Sequence, residues 1–285
     1  MIDLHLHTTA SDGRLAPPAL VALAAGAGLQ IIAVTDHDTV SGLAEARAAG
    51  AAGGLRLVNG IEITAVERGR DIHILGYFFD PADAGLSRLL DRQRAARFER
   101  IREIAARLLT LGYVVDAEAI LRSAIESGRS VGRPAIADAL VAAGHAVDRQ
   151  DAFERWLAPG GAAFVARCGP AVAEVVEAVS GAGGITSLAH PGPLGLDDEI
   201  PRFAARGLDA IEAAHRDHDA AAEARYRALA AELQLAISGG SDFHGEHERT
   251  RSGSLSRPGA VTLSGEDFAA LESRVGRARK VNTGA

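Results

Sequence analysis

The chemistry available to this chain lies in its histidines and the carboxylates near them. Ile2-Asp3-Leu4-His5-Leu6-His7-Thr8 alternates apolar and polar side chains, the mark of a β-strand, which sends every second side chain to one face. His5 and His7 therefore point the same way, about 7 Å apart at the backbone, near enough to share a cation. Alone, such a pair reads better as two solvated imidazoles on a half-buried strand. Its company decides otherwise: Asp12, His37, Glu62, His73, His190, Asp242 and His244 follow at intervals. The histidines among them are expected at, or just beyond, the C-terminal ends of separate strands. Chance or core packing would scatter them over helices and loops.

Imidazole and carboxylate without thiolate suit manganese, iron or zinc in a catalytic setting rather than a closed structural zinc site. Nine candidate ligands are too many for one ion and serve three comfortably. Three divalent ions outweigh the charges of Asp12, Glu62 and Asp242, and that surplus in a low-dielectric cleft favours a highly charged anion, a phosphate ester above all. Bridging metals bring water to hydroxide near neutral pH and clamp phosphoryl oxygens while the alkoxide leaves. No nucleophile elbow or phosphate loop competes with that reading.

Positioning these residues requires an α/β frame. The run Gln30–Val34 is apolar after its first residue, as a strand buried on both faces should be, and it leads straight into Thr35-Asp36-His37-Asp38. Helices are expected from Ala19 to Ala27 and from Val40 to Ala52, with strands near Asn59–Ile63 and Asp71–Tyr77. Alternation resumes with strands Gly184–Ala189, Leu208–Glu212 and Gln234–Ser238, and a last helix spans Glu266–Arg279. Polar residues thus gather where parallel α/β folds place their sites. Residues 81–164 break the pattern and read as helical throughout, an insertion capping an α/β body made of 1–80 and 165–285. On the long helix of that insert, Phe98, Ile101, Ala105 and Leu108 mark the apolar face, and its arginines read as a mostly solvated face. The polar stretch Glu246–Pro258 reads as a mobile loop near the site.

The whole-chain figures agree with a cytoplasmic enzyme. Of 285 residues, 47% are hydrophobic, enough for a large core. A net charge of −7 argues against a nucleic-acid-coating role. The one cysteine, Cys168, rules out an intrachain disulfide or thiolate zinc site and is expected as a buried, inert thiol. The most apolar run, Ala19–Val34, is interrupted by Gly26, Gly28 and Gln30, so no membrane span is expected, and the N-terminus does not resemble a signal peptide. No obligate protein partner is expected.

Asp3-Leu-His5-Leu-His7, Thr35-Asp-His-Asp38, Gly60-Ile-Glu62, Asp71-Ile-His73, Ala189-His190-Pro191 and Ser241-Asp-Phe-His244 together resemble the polymerase and histidinol phosphatase (PHP) superfamily, in order and over almost the full chain. The resemblance implies a distorted barrel of about seven β/α units with a three-metal centre. His5, His7, Glu62 and Asp242 would hold one ion; a bridging Glu62 with His73 and His190 a second; Asp12, His37 and His244 a third. Manganese is the leading candidate, with iron or zinc as alternatives. The insert with Val131-Gly132-Arg133-Pro134 looks like the branch of nucleoside 3′,5′-bisphosphate phosphatases and 5′-to-3′ exoribonucleases, which implies a small phosphorylated nucleotide or short RNA as substrate. Arg133 would grip a phosphate as a planar double donor, with Arg97 and His215 as further substrate contacts. His215 and Asp38 are the candidate catalytic residues, with His215 either contacting the phosphate, protonating the leaving oxygen or standing as a plain surface histidine. Members of that branch often carry histidine just after the insert arginine, where this chain has Ala135, and that puts substrate choice rather than hydrolysis in question. Histidinol-phosphate phosphatase is the second enzyme reading, and a non-catalytic metal-bound scaffold the reading from another class.

Overall fold

The protein was analysed as a computed structural model, which describes residues 1–245 and 256–275. Seven strands, β1 (Ile2–Leu6), β2 (Ile31–Val34), β3 (Arg56–Glu67), β4 (Arg70–Tyr77), β5 (Ile185–Leu188), β6 (Ala210–His215) and β7 (Ala236–Gly240), form one sheet in sequence order. The sheet curls into a nearly closed barrel. Its ends meet where Leu6 bridges Phe243 and the His7 N–H donates to the Phe243 carbonyl at 3.0 Å.

Parallel pairing runs through β1–β3 and again through β5–β7, but β4 is antiparallel to both its neighbours. Local chemistry explains the inversion. β3 and β4 are joined by Arg68-Gly69, both with positive φ (50° and 75°) and with Glu67 opposite Arg70. That is a two-residue hairpin turn whose twist matches the strands it joins, and it leaves no room for the helix that strict β/α alternation requires. The expected position of His73 at a strand C-terminus is thereby corrected. His73 sits in the N-terminal half of β4, and because β4 runs backwards, that half lies at the rim where the parallel strands end.

Helices α1 (Pro17–Gly26) and α2 (Leu43–Gly53) cover the first strands, and the next regular elements after β4 are α3 (Ala84–Thr110), α4 (Ala117–Ser127), α5 (Arg133–Ala142) and α6 (Arg149–Ala152), the last continuing as a π turn over Phe153–Leu157. Then follow α7 (Val172–Gly181), the short α8 (Pro191–Leu194) and α9 (Ile200–Ala204), α10 (Ala220–Glu232) and α11 (Gly265–Glu272). Asp83, Asp116, Asp148, Asp219 and Ser264 each accept a backbone N–H at the start of a helix, contributing about 1 kcal/mol apiece.

Two apolar cores result. One joins the barrel to its surrounding helices; the other holds Ile101, Ile104, Leu108, Leu121, Ile136, Leu140, Trp156 and Leu157 of the helical segment. The 27-residue helix α3 belongs to both. Its first turns bury Leu86, Leu89 and Leu90 on the barrel, its last turns bury Ile101, Ile104 and Leu108 in the second core, and between them the same face buries Gln93, Arg97 and Arg100. Three polar residues on the buried face, at helical spacing, mark where the helix crosses a polar cleft. The reading of these arginines as a solvated face fails for Arg97 and Arg100, each 9% exposed.

Cys168 is exposed rather than buried. No described helix is long and apolar enough to cross a membrane. Most of the stretch expected as a mobile loop, and the end of the last expected helix, lie outside the described residues.

Candidate metal centre

The rim is built from strand ends and from the turns just beyond them. On β1 the alternation turns Asp3 and His5 into the barrel while Ile2, Leu4 and Leu6 pack outward in the core. Asp3 is fully buried and accepts from Ser241 Oγ (2.6 Å), Ser241 N–H (2.9 Å) and Gly259 N–H (2.8 Å), so it ties the start of the chain to the segment carrying Asp242 and His244. Asp36 does the same for the loop that carries Asp12: it accepts from the Thr8 N–H (2.8 Å), Thr8 Oγ1 (2.6 Å) and Ser11 Oγ (2.6 Å). A Cβ at Gly13 would collide with the backbone of His7, which is why the loop can fold back over the strand end.

Backbone strain collects at the same rim. Asp38 (φ 52°), His190 (φ 27°) and Asp242 (φ 49°) all adopt positive φ despite carrying a Cβ, a conformation worth of order 1–3 kcal/mol each that persists only where surroundings enforce it. On β6 the pairing with β7 shifts register between Glu212 and Ala214. A regular strand would turn Glu212 and His215 to opposite faces; the irregularity lets both reach the centre.

Glu62 is the hub. Its Oε1 lies 2.8 Å from His73 Nδ1 and 3.1 Å from His190 Nε2, and its Oε2 lies 3.1 Å from His37 Nδ1, 3.3 Å from His7 Nε2 and 3.4 Å from His5 Nε2. Asp242 Oδ1 is 3.4 Å from His5 Nε2 and 3.3 Å from His7 Nε2, while Asp12 faces His244 Nε2 at 3.3 Å and His37 Nε2 at 3.8 Å. All nine residues read from the sequence as ligands are thus brought together. Three subsets of these nine hold their ligand atoms within 4.8 Å of one another: His5, His7 and Asp242; His37, Glu62 and His73; and His7, Asp12, His37 and His244; a fourth group at the same spacing is His5 with Glu212 and His215.

Their hydrogen bonds do not explain this crowding. Among the described residues, His5 Nε2, both ring nitrogens of His7, Asp12 Oδ1, His37 Nδ1 and His73 Nδ1 are buried with no hydrogen-bond partner. Each such atom costs roughly 1–3 kcal/mol if left unsatisfied. Two ligands about 2.1 Å from a common ion stand roughly 3.0–3.4 Å apart, the spacing seen around Glu62 and Asp242. The donor set and its unsatisfied lone pairs therefore fit divalent cations.

The electrostatics point the same way. Burial alone would raise the carboxyl of Glu62, but His37, His73 and His5 hold it well below the usual range. Asp12 and Asp242 are likewise held low against burial, by His244 and His37 and by His5 and His244. Burial pushes His37 down to about 3, against the pull of Glu62 and Asp12, so its ring is neutral at neutral pH. For His5 the balance reverses: Glu212, Asp242 and Glu62 outweigh burial and keep a proton on it well above the ordinary histidine range. Surroundings this anionic, which keep a proton on a buried ring, favour a divalent ion in its place.

The residues read as substrate or proton-transfer groups are placed less uniformly. Asp38 is corrected. Its Oδ1 accepts from the Thr64 N–H (2.8 Å), its Oδ2 from Arg97 Nε (2.7 Å) and Arg167 (3.3 Å), and despite burial those arginines keep it ionised. It anchors the cleft wall and has no proton to give. Arg97 is spent on Asp38 and on the Val131 carbonyl (3.1 Å) while still lining the cleft. Arg133 lies over the rings of Phe153 and Phe164, with a nitrogen 3.8 Å from Asp71. His215 faces Asp242 Oδ2 at 3.5 Å.

Sequence reading missed Arg100, Arg167 and Glu212. Arg167 pairs with Asp38 and with Asp71 (3.5 Å), and burial with nearby Arg97 pushes it down to about 9, still charged at neutral pH. A signal for Arg100 existed in its place on the buried stripe of α3. Glu212, an acid inside the apolar strand Ala210–His215, was visible as a strand end without a partner to explain it.

A family model described as "PHP domain" matches residues 3–128. A 3′,5′-nucleoside bisphosphate phosphatase of Chromobacterium violaceum is 33% identical over 88% of this chain and 89% of its own length. A 5′-3′ exoribonuclease of Haemophilus influenzae is 35% identical over 85% and 89% respectively. A phosphoribosyl 1,2-cyclic phosphate 1,2-diphosphodiesterase of Eggerthella lenta is 35% identical over 87% and 95%. The solved structure of a metal-dependent phosphoesterase from Bifidobacterium adolescentis superimposes with a TM-score of 0.85 at 34% identity, covering 96% of each chain. With its inverted fourth strand, its ring of histidines around one glutamate and these relatives, the chain belongs to the PHP family and is a metal-dependent phosphoesterase.

Proposed function

We propose that this phosphoesterase removes the 3′-phosphate of nucleoside 3′,5′-bisphosphates, and that the same cleft trims short 5′-phosphorylated RNA from its 5′ end. The observation that carries the reading is a pair of oppositely built sites side by side. At the rim, buried imidazoles and carboxylates converge with several atoms left without hydrogen-bond partners. Beside it, the guanidiniums of Arg97, Arg100, Arg133 and Arg167 crowd two carboxylates, Asp38 and Asp71. Buried positive charge in excess of its partners calls for an anion, and a substrate with two phosphates satisfies both sites at once.

The rim would hold three divalent ions: His5, His7, Glu62 and Asp242 would bind one, Glu62, His73 and His190 a second, and Asp12, His37 and His244 a third, with manganese favoured and iron or zinc as alternatives. When bound, such ions polarise the phosphoryl group and furnish a deprotonated water as nucleophile. The chain's own residues do the rest. Arg133, with Arg100 and Arg167 behind it, holds the phosphate that is not cleaved. His215 accepts the Asp217 N–H on Nδ1 at 3.1 Å, which leaves Nε2 as the donor side of the ring, 3.5 Å from Asp242 Oδ2 at the rim. There it donates a hydrogen bond to the leaving oxygen, which takes its proton from water. Helices α3–α6 act as a cap that keeps water from the cleft. A cavity of about 290 Å³ lined by Asp12, His37, Arg97, Arg129 and Ala135 takes the nucleoside, and the methyl group of Ala135 leaves space there that a ring would fill.

The test is a phosphate-release screen with added manganese across nucleoside 3′,5′-bisphosphates, mononucleotides, short 5′-phosphorylated RNA, histidinol phosphate and ribose 1,2-cyclic phosphates. Preference for the bisphosphate is expected. Preference for histidinol phosphate or the cyclic diester overturns the substrate assignment, and metal-loaded protein inert toward all of them favours a scaffold role.

A further inference from the structure

Glu212 on β6 is fully buried and belongs to none of the three ligand sets assigned above. Its Oε1 lies 2.8 Å from His5 Nδ1, and its Oε2 accepts the His190 backbone N–H at 2.8 Å. One side chain thus reaches ligands from two distant parts of the chain, β1 and the turn after β5. An ionised carboxylate only accepts hydrogen bonds. Once an ion displaces a proton from the ring, the one that remains on His5 therefore sits on Nδ1, and Nε2, 3.4 Å from both Glu62 and Asp242, is the nitrogen that faces the ion.

The second contact bears on strain. His190 sits at φ 27°, and a residue with a Cβ holds that backbone only under constraint. The loop after β6 adds a second clamp on the same turn: His218 accepts the Gly192 N–H on Nε2 at 3.1 Å, with its Nδ1 on the Ala213 carbonyl at 2.9 Å. A Cβ at Gly192 would stand 2.7 Å from the His218 ring, so the turn and the ring fit only with glycine there.

We infer that Glu212 is a positioning residue of the metal centre, fixing the ring of His5 and the backbone of His190 so that the two ions sharing Glu62 bind tightly. It acts through those ligands and touches neither ion nor substrate. The inference rests on the metal-centre reading above. Glutamine at this position keeps the shape but offers one acceptor and one donor to two donors. Whichever way the amide turns, either His190 loses its acceptor or His5 moves its proton to the ligating nitrogen. The ion assigned to Asp12, His37 and His244 draws on neither His5 nor His190, and provides an internal control.

Metal-stripped wild type and Glu212→Gln are reloaded with manganese and dialysed against graded concentrations of a competing chelator. Retained metal is counted by elemental analysis, with thermal melting of the metal-free proteins as the control for folding. Loss of such an outer hydrogen bond costs roughly 10–100-fold in metal affinity. Glu212→Gln should release two ions at that much less chelator while keeping one with wild-type affinity. Folded variant that keeps every ion as the wild type does, or loses all of them alike, overturns the inference. Should Glu212→Gln not fold, Glu212→Asp, which withdraws both oxygens by one methylene, carries the same test with the same outcomes. Wild type that retains no ion overturns the metal-centre reading itself, and the inference with it.

Discussion

The barrel rim and the middle of helix α3 both bury charge, and they do so in opposite ways. At the rim, five imidazoles surround Glu62 with several nitrogens left without partners. On α3, Arg97 is satisfied twice over, by Asp38 and by the Val131 carbonyl, and Arg100 donates to the Val165 carbonyl at 2.9 Å. One region is a set of ligand atoms without partners, where cations compete with protons; the other is a framework of donors, already braced, beside the place where an anion arrives. The difference teaches that burial of charge is not one phenomenon. An unsatisfied buried set marks a ligand site, whereas a satisfied one marks the wall that supports it.

Removing an acceptor from the rim should have the largest effect. Asp242→Asn or His37→Ala is expected to abolish phosphate release while the metal-free protein still melts cooperatively, as assay and calorimetry together would show. Unchanged turnover in both variants would refute the ligand assignment.

Removing a carboxylate from the wall should act on stability instead. Asp38→Asn leaves Arg97 and Arg167 facing an amide, a broken buried pair that costs about 3–5 kcal/mol in denaturant unfolding. If Asp38 were the proton donor, the acid or base limb of the kcat–pH profile would move and the unfolding free energy would stay. Arg133→Ala lies between the two regions. It should raise KM for the bisphosphate roughly 10–100-fold, the worth of a charge-assisted hydrogen bond, and change kcat much less.

The smallest effect separates the states of the rim by pH. His5, His7 and His190 have raised pKa values in the metal-free fold, where nearby carboxylates outweigh burial. Their contribution is complete below the unfolded value of about 6.5 and is lost as pH rises through the folded values. His37, whose folded value is lowered to about 3, costs stability only below 6.5 and adds no slope above it. The melting temperature of metal-free protein should thus fall as pH rises from 6.5 into the alkaline range. Metal-loaded protein should gain over the same window, because binding releases protons. Parallel trends in the two forms would contradict a shared site for protons and ions.

Much of this was legible in the sequence because ligands at strand ends announce themselves by residue type. The histidines and carboxylates of the rim stand out of apolar strands such as Ile31–Val34, and alternation along β1 sets their direction. The inversion of β4 was harder to see, since it follows from a two-residue turn at Arg68-Gly69 whose twist only pairing reveals. The arginines of α3 were harder still. Charge on a helix usually means solvent, and nothing local shows that Arg97 and Arg100 sit between two cores. Glu212 needed three dimensions, because both of its partners are remote in sequence, with His5 over two hundred positions away.

The central claim is that imidazoles and carboxylates of the rim enclose cations around Glu62. Crystals grown with manganese and measured across its absorption edge test it most directly. Anomalous peaks on both sides of the Glu62 carboxylate, with one more beside Asp12, His37 and His244, are the expected result. A map in which these side chains superimpose on the present structure, with no peak within coordinating distance of Glu62, would contradict it.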